Sequence, residues 1–266
     1  MIIWFSGTGN SRLVAQRLGR ELGERCTAMA DYVPGEWKGE RRVIWVFPIY
    51  SWGVPPVVRR FITKAEMPAG TIHHMVCTCG DDTGLADRMW RRDLGRRGWE
   101  TGGAWSVIMP NTYVTMRGFD VDSREVSQAK LSAMGRRVKA IAEAIESGSP
   151  ETDLTRGTMA WLKTRVIYPW FIRHAMSPRP FKALKGCIGC GRCVVSCPTG
   201  NIKLDAAKRP VWGDDCAFCL GCYHVCPRHA VAYGNKTRDK GQYLAPRYLN
   251  DRAEAVTFLR VSPQND

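Results

Sequence analysis

The chain has 266 residues, of which 44% are hydrophobic and 24% are charged, and its formal net charge at pH 7 is +14. This composition excludes an intrinsically disordered chain, and no uncharged apolar stretch reaches the length of about 18 residues that a membrane-spanning helix needs. Met1 leads directly into Ile2-Ile3-Trp4-Phe5 without a basic leader or a small-residue cleavage site, so we expect no signal peptide and a cytoplasmic protein.

Strand and helix signals alternate along the first 150 residues, which indicates a parallel α/β sheet. Short apolar runs predict five strands, and apolar residues at helical spacing predict four helices. The predicted strands are Ile2 to Phe5, Cys26 to Ala30, Val43 to Phe47, Ile72 to Thr78 and Trp105 to Met109. The predicted helices are Ser11 to Leu22, Val57 to Thr63, Leu85 to Leu94 and Ser123 to Ile145.

A glycine-rich loop, Ser6-Gly7-Thr8-Gly9-Asn10-Ser11, follows the first predicted strand and opens the first predicted helix. Backbone N–H groups at a helix N-terminus bind phosphate, and the glycines allow a close approach of the backbone. A dinucleotide fingerprint lacks its third glycine here, because Arg12 stands three residues after Gly9, and no Gly-Lys-Ser/Thr follows as in a Walker loop. The loop therefore predicts the phosphate site of another nucleotide.

Two further loops follow the third and fourth predicted strands. They are Pro48-Ile49-Tyr50-Ser51-Trp52-Gly53 and Thr78-Cys79-Gly80-Asp81-Asp82-Thr83-Gly84. Together with the phosphate loop, they resemble the cofactor loops of flavodoxins, which bind FMN at the carboxyl edge of an open sheet. The resemblance implies a flavodoxin-like, doubly wound, five-stranded parallel sheet. It also implies an aromatic residue of the first loop against the flavin ring and backbone contacts from the second loop to its pyrimidine edge.

The resemblance makes Cys79 a loop residue and not a metal ligand. Flavodoxins often place a second aromatic residue where this chain has Thr83 and Gly84, so one flavin face is either open or covered by Tyr113. For each single aromatic residue, ordinary packing is as plausible a role as a flavin contact. The predicted FMN-binding residues are Ser6, Gly7, Thr8, Gly9, Asn10, Ser11, Pro48, Tyr50, Ser51, Trp52, Gly53, Thr78, Cys79, Gly80, Asp81 and Tyr113.

Residues 151–184 are predicted to form a basic, aromatic linker between two domains. From Leu154 to Leu204 the chain has no acidic residue, although it has nine basic ones. A basic, aromatic helix can lie on an anionic membrane surface, but Pro169 is expected to interrupt such a helix. We therefore favour a linker packed between the domains, with a basic face that is solvated or docks an acidic partner.

Eight of the eleven cysteines lie between Cys187 and Cys226 in two runs of identical spacing. The runs are Cys187-x2-Cys190-x2-Cys193-x3-Cys197-Pro198 and Cys216-x2-Cys219-x2-Cys222-x3-Cys226-Pro227. Two intervening residues let the chain turn around one iron–sulfur cluster, whereas the fourth cysteine of a run ligates the other cluster. The spacing predicts two [4Fe–4S] clusters, one bound by Cys187, Cys190, Cys193 and Cys226 and the other by Cys197, Cys216, Cys219 and Cys222.

Disulfides and zinc sites are less favoured roles for these cysteines. Disulfide frameworks are typical of short secreted chains, and zinc ribbons use two C-x2-C pairs rather than runs of four cysteines with a trailing proline. The runs resemble those of bacterial two-cluster ferredoxins over about 50 residues.

The chain as a whole resembles the fused flavodoxin–ferredoxin family of anaerobic bacteria. We expect a flavodoxin-like FMN-binding domain over residues 1–150 and the linker over residues 151–184. A smaller α+β two-[4Fe–4S] ferredoxin domain is expected over residues 185–235. A polar, basic tail over residues 236–266 follows, in which residues 244–259 are expected to pack back onto the body.

The two modules predict an electron-transfer iron–sulfur flavoprotein, which relays electrons between FMN, two [4Fe–4S] clusters and external redox partners. Basic charge around the clusters predicts an acidic redox-partner protein. No nucleic-acid motif accompanies this charge, so no nucleic-acid partner is expected. No residue is assigned a catalytic role. A flavin-dependent reductase of a small-molecule acceptor, fed by the clusters, and a redox sensor are the alternatives.

Overall fold

The computed structural model describes residues 1–245, and strands and helices alternate along its N-terminal part. The strands there are β1 (Ile2–Trp4), β2 (Cys26–Ala28), β3 (Arg42–Pro48), β4 (Ile72–Cys79), β5 (Glu100–Ile108) and β6 (Thr152–Asp153). The helices are α1 (Asn10–Leu22), α2 (Pro56–Lys64), α3 (Ala86–Gly95) and α4 (Arg124–Glu146).

All neighbouring strands of this sheet are parallel, in the order β2-β1-β3-β4-β5-β6. The order of the first five strands is that of a flavodoxin-like doubly wound sheet. The predicted fold class and its five strands are therefore confirmed. β6 adds a sixth strand from the predicted linker, where Thr152 pairs with Ala104. Two residues are too few for an alternating apolar pattern, which is why the sequence does not indicate this strand.

The sheet separates two apolar cores, because successive side chains of a strand point to opposite faces. Ile2 packs on one face with residues of α1 and α4, and Ile3 packs on the other face with residues of α2 and α3. Both side chains are completely buried. This arrangement holds the carboxyl ends of β1, β3, β4 and β5 at one edge, from which the candidate loops emerge.

β5 begins earlier than the sequence predicts, at Glu100 rather than Trp105. Gly102 and Gly103 weaken the strand signal, because glycine has no side chain to pack. In the folded chain they provide room for aromatic rings instead, since a Cβ at Gly102 would overlap the His74 ring and one at Gly103 the Trp105 ring.

The predicted linker contains a continuous helical segment over residues 160–174, called the connector helix below. It consists of α5 (Ala160–Leu162), a π-turn (Lys163–Ile167) and α6 (Tyr168–His174). The Tyr168 N–H donates to the Lys163 carbonyl five residues earlier, and Pro169 lies in the first turn of α6. The expected interruption at Pro169 is therefore wrong, because one turn widens to accommodate the missing N–H group. Among residues 1–245, no helix is long and apolar enough to cross a membrane.

The cysteine-rich part is built from short elements. They are β7 (Phe181–Ala183), α7 (Arg192–Val195), β8 (Ile202–Leu204), β9 (Pro210–Trp212), α8 (Gly221–Val225) and β10 (Val231–Tyr233). β10 pairs with β7 and β8 pairs with β9, both antiparallel, which agrees with the expected small α+β domain. Residues 246–266 of the predicted tail, and with them most of the segment 244–259, lie outside the described residues.

Two histidines of β4 are buried and accept hydrogen bonds. Trp45 Nε1–H donates to His73 Nδ1 at 3.0 Å, and the Gly103 N–H donates to His74 Nδ1 at 3.1 Å. Burial lowers the pKa of each imidazole from 6.5 to about 4, with a smaller contribution from neighbouring positive charge. Each ring is therefore neutral in the folded protein at pH 7.

We expect the free energy of unfolding to fall as the pH drops from 6.5 towards 4. In this window the unfolded chain binds protons that the folded chain excludes, which costs at most about 1.4 kcal/mol per pH unit for each histidine. Anaerobic urea unfolding between pH 7.5 and pH 5 would measure this slope. His74→Gln should flatten the slope, whereas His174→Gln, at an exposed position, should leave it unchanged. Equal slopes in all three proteins would contradict the assignment.

Candidate functional site

The phosphate loop lies between β1 and α1, as the sequence predicts. Gly9 precedes the helix with a φ of 100°, a conformation that favours glycine. The Gly9 N–H donates to Ser6 Oγ at 3.1 Å, and the hydroxyls of Ser11 and Thr78 are hydrogen-bonded at 2.7 Å. The first N–H groups of α1 have no acceptor within the helix and can bind a phosphate.

The Asn10 side chain braces this loop from two sides. Its amide donates to the Pro110 carbonyl at 2.9 Å, and its oxygen accepts from the Tyr243 hydroxyl at 2.8 Å. The Ala245 N–H also donates to the Thr8 carbonyl at 3.1 Å. A segment far along the sequence therefore completes the phosphate loop. No local pattern marks Tyr243, so the sequence does not predict its role.

Tyr243→Phe should weaken flavin binding at the phosphate loop, because it removes the hydroxyl that fixes Asn10 in a buried position. Losing one buried hydrogen bond costs roughly 1–3 kcal/mol. We expect flavin affinity to fall about tenfold in a fluorescence-quenching titration. Tyr168→Phe is the matched control. The Tyr168 hydroxyl donates to the Val54 carbonyl after β3 and does not bond the phosphate loop. An equal loss of affinity in both variants would show a general effect on folding instead.

A hollow of about 550 Å³ opens beside the phosphate loop, at the carboxyl edge of the sheet. Eleven of the predicted FMN-binding residues line it, namely Ser6, Gly7, Thr8, Asn10, Ser11, Pro48, Tyr50, Thr78, Cys79, Gly80 and Tyr113. The remaining lining residues are Ile49, Met109, Pro110, Asn111, Thr112 and Cys219. The structure thus brings together the three predicted loops and adds a cysteine from the cysteine-rich part, called the cluster-binding part below.

A polar network holds two walls of this hollow together. The Asn111 N–H donates to Asp122 Oδ2 at 3.0 Å, and Lys130 Nζ bonds both Asp122 at 2.7 Å and the Gly80 carbonyl at 3.1 Å. Burial raises the pKa of Asp122, but the hydrogen bonds from Lys130 and Asn111 outweigh it, and the pKa is lowered. Asp122 is therefore a carboxylate at neutral pH, and it fixes the loops that follow β4 and β5.

Five predicted FMN-binding residues lie outside the lining: Gly9, Ser51, Trp52, Gly53 and Asp81. Ser51 and Trp52 have positive φ values of 44° and 65°, and this turn directs Trp52 to the connector helix. There Lys163 Nζ lies 5.0 Å from the centroid of the Trp52 ring, and the Thr164 hydroxyl donates to the Trp52 carbonyl. Trp52 therefore packs the connector helix against the sheet. Asp81 is exposed.

Tyr50 is the aromatic residue of its loop that reaches the hollow. Its hydroxyl is buried without a hydrogen-bond partner, and its ring packs edge-on against Phe5 at 6.5 Å. Burial raises the pKa of Tyr50 well above 10.0, and the nearby Cys219 and Cys216, when ionised, raise it further. An unpaired buried hydroxyl is costly. This hydroxyl is therefore a neutral donor suited to a polar group held in the hollow.

The eight cysteines of the two runs form the two sets that the spacing predicts. Cys187, Cys190, Cys193 and Cys226 line a hollow of about 360 Å³, called the first centre below. Cys197, Cys216, Cys219 and Cys222 line a hollow of about 310 Å³, called the second centre. Within residues 1–245, no three His, Cys, Asp or Glu side chains converge on a single metal ion. Each set of sulfurs surrounds a space instead, and four thiolates around a space fit a [4Fe–4S] cluster.

The two runs repeat the same backbone geometry. Gly189 and Gly191 have φ values of 66° and 70°, and Phe218 and Leu220 at the matching positions have 53° and 59°. Left-handed backbone is strained in residues other than glycine and persists where the surroundings require it. N–H groups of these runs point to sulfur, as from Phe218 to Cys216 Sγ at 3.4 Å. Such bonds stabilise a thiolate that ligates a cluster.

Two cysteines of the second centre have raised pKa values because they are partly buried. Burial raises the pKa of Cys219 to about 12, and it also raises the pKa of Cys216. Without a cationic group both cysteines are thiols, and they become thiolates when they ligate iron. In the first centre Cys190 is exposed, whereas Cys219 of the second centre is half-buried and packs against the core of the sheet.

The phosphate loop and the second centre are in direct contact. A Cβ at Gly7 would overlap the carbonyl of Cys219, and a Cβ at Gly221 would lie 2.7 Å from the Gly7 carbonyl oxygen. Two glycines thus let the backbones of the two parts touch. Since Cys219 lines both the 550 Å³ hollow and the second centre, the two sites share a wall.

His224 provides a further link between the parts. It lies between Cys222 and Cys226 in the sequence and is completely buried. Its Nδ1 accepts from the Tyr243 N–H at 3.1 Å, so its Nε2 donates to the Thr112 carbonyl at 2.8 Å. The ring is therefore neutral, and it joins one wall of the hollow to the cluster-binding part.

The comparisons with known proteins identify the cysteine-rich part. Residues 186–231 match the model of the 4Fe-4S dicluster domain. Over 46 residues the chain is 35% identical to a component of the ion-translocating oxidoreductase complex of Methanosarcina acetivorans. The match covers 17% of this chain and 17% of that protein.

Solved structures similar to the chain include a flavodoxin of Streptococcus pneumoniae, at 15% identity and a TM-score of 0.38. That match covers 55% of this chain and 96% of the other. Rubredoxin oxygen:oxidoreductase from Desulfovibrio gigas matches at 16% identity and a TM-score of 0.36, over 55% of this chain and 36% of the other. The strand order, rather than these scores, carries the fold assignment. The chain joins a flavodoxin-like sheet to a 4Fe-4S dicluster domain, which confirms the predicted architecture and indicates an iron–sulfur redox protein.

Proposed function

We propose that the chain is an electron-transfer flavoprotein that binds one FMN in the 550 Å³ hollow and one [4Fe–4S] cluster in each of its two centres. The observation that carries the proposal is the position of Cys219, which lines both the second centre and the FMN hollow. The crowding of cysteines around cluster sites also supports a reducing compartment, such as the cytoplasm, as the place of action.

The residues of the chain supply binding and position. The N-terminus of α1 and the hydroxyl groups of the phosphate loop would hold the FMN phosphate. The loops after β4 and β5, fixed by Asp122, would hold the ring. FMN can exchange one or two electrons, whereas each cluster exchanges one. When bound, these groups would pass electrons on singly or in pairs.

The burial of the two centres suggests their order in this chain of sites. Cys219 of the second centre is half-buried and contacts Gly7 of the phosphate loop. Cys190 and Ile188 of the first centre are exposed, and Arg192 and Arg228 line the same hollow. The first centre is therefore proposed to exchange electrons with external partners, and the second centre to exchange them with FMN.

The composition of the protein after anaerobic purification tests the proposal. We expect about eight iron and eight sulfide per chain, the absorbance of iron–sulfur clusters, and one FMN released on denaturation. Iron without any flavin would contradict the assignment as a flavoprotein, and zinc in place of iron would overturn the whole proposal. Turnover of small-molecule acceptors by the loaded protein would favour a reductase over an electron carrier.

Electron exchange with an acidic redox protein should slow as the ionic strength rises. The Debye length falls from about 10 Å at 0.1 M to about 3 Å at 1 M salt. Salt should therefore weaken the attraction between an acidic partner and the arginines that line the first centre. Stopped-flow oxidation of the reduced protein by an acidic electron carrier would measure the rate. Arg192→Gln should reduce the salt dependence, and Arg136→Gln on the exposed side of α4 should not. A rate that is indifferent to salt would contradict docking by charge.

A further inference from the structure

The connector helix presents an apolar and basic face to solvent. Its buried side consists of Thr164, Tyr168 and Phe171, which pack on the sheet and on the cluster-binding part. Large apolar groups with exposed fractions of half or more lie on the opposite side of the helix and just before its start. They are Trp161 at 64%, Val166 at 50% and Trp170 at 55%, together with Met159, which precedes the helix, at 65%.

Arginines lie among these apolar groups. Arg165 and Arg173 are exposed on the same side of the helix, and neither makes an ion pair within residues 1–245. By contrast, the basic residues at the edge of the helix are neutralised, since Lys163 pairs with Asp82 at 2.7 Å and Arg156 with Asp87 at 2.7 Å. The exposed face therefore combines tryptophan, aliphatic groups and uncompensated positive charge.

We infer that this face docks the protein on an anionic lipid surface, with the connector helix lying in the plane of the interface. Tryptophan concentrates at the boundary between headgroups and acyl chains, because one part of its ring system is apolar and its N–H is polar. Arginines beside it bind lipid phosphates. The inference goes beyond electron transfer itself and does not depend on the cofactor content.

Two observations favour lipid over a protein partner as the occupant. The charge of the face is of one sign, since the chain has no acidic residue between Leu154 and Leu204, and an anionic bilayer matches such a face without a specific pattern. The exposed apolar side chains also lie on one side of a single helix, as in helices that insert shallowly into headgroups. The π-turn keeps the segment helical through Pro169, so the face is continuous.

Flotation of the loaded protein with vesicles tests the inference. At low salt, we expect the protein to float with vesicles that contain phosphatidylglycerol and to stay behind with vesicles of phosphatidylcholine alone. The double variant Trp161→Ser/Trp170→Ser should lose about tenfold in binding for each tryptophan. The double variant Arg165→Gln/Arg173→Gln should lose about fivefold for each charge.

Matched controls replace exposed residues elsewhere. Val33→Ser/Val211→Ser removes exposed apolar groups, and Arg124→Gln/Arg136→Gln removes two charges from α4. Both should float like the unchanged protein, and iron content should stay equal in all variants. No flotation at low salt would overturn the inference, as would flotation that the connector variants leave unchanged. Retention of an acidic protein by this face, without vesicle binding, would assign it to a protein partner and also overturn the inference.

Discussion

Replacing Cys197 with alanine is expected to remove the cluster whose other three ligands belong to the second run. Cys197 stands in the first run of the sequence, yet the structure places it with Cys216, Cys219 and Cys222 around the second centre. A cluster that loses one of its four thiolates is no longer held firmly. We expect iron to fall from about eight to about four per chain and one of two electron paramagnetic resonance signals to disappear.

Three further alanine variants serve as controls for this result. Cys216→Ala should lose the same resonance signal as Cys197→Ala, because both residues line the second centre. Cys190→Ala and Cys226→Ala should lose the other signal. If Cys197→Ala and Cys190→Ala lost the same signal, each run would hold its own cluster and the crossed ligand sets would be wrong.

Gly7→Ala is expected to weaken FMN binding strongly and to disturb the second centre at the same time. The added methyl group would overlap the Cys219 backbone, so the phosphate loop and the cluster-binding part must move apart. Overpacking of this kind costs about 1–3 kcal/mol. We expect FMN affinity to fall roughly tenfold to hundredfold. A flavin titration would measure it, and the resonance of the second centre should change in the same variant.

A matched glycine separates this effect from a general one. Gly95, at the end of α3, has nothing within 4 Å of the position of a Cβ, so Gly95→Ala should leave both readouts unchanged. If Gly7→Ala bound FMN normally, the close contact between the loop and Cys219 would not be essential to the site. A change in FMN affinity without any change in the second centre would show that the two sites are separable.

Much of the sheet could be predicted from the sequence because its strands and helices are periodic. α4 begins one residue after the predicted start, and the runs Val43 to Phe47 and Ile72 to Thr78 lie within β3 and β4. The connector helix could not be predicted in this way. Pro169 signals a break, whereas tertiary contacts stabilise the wider turn, among them those of Thr164 and Tyr168 with the loop after β3.

The candidate site was predictable to the extent that its residues lie in short, spaced motifs. The cysteine runs fix both ligand sets, since their spacing is a local property, and the structure groups them in the same way. Trp52 is expected at the site from the sequence but lies outside the lining of the hollow. The orientation of its side chain depends on the turn at Ser51 and Trp52 and on a contact with Lys163, which is distant in the sequence. Tyr243 bonds Asn10, and Cys219 lines the hollow beside the phosphate loop, through tertiary contacts that no local pattern indicates.

The brace that Tyr243 and Ala245 form on the phosphate loop has a consequence for biosynthesis. Ribosomes make the nucleotide-binding loop early and the brace only after both cysteine runs have been translated. We therefore expect the phosphate loop of a nascent chain to be held loosely until Tyr243 and Ala245 have been added. Stable flavin uptake should then be a late step of maturation, and chains arrested before Tyr243 should be poor flavin acceptors.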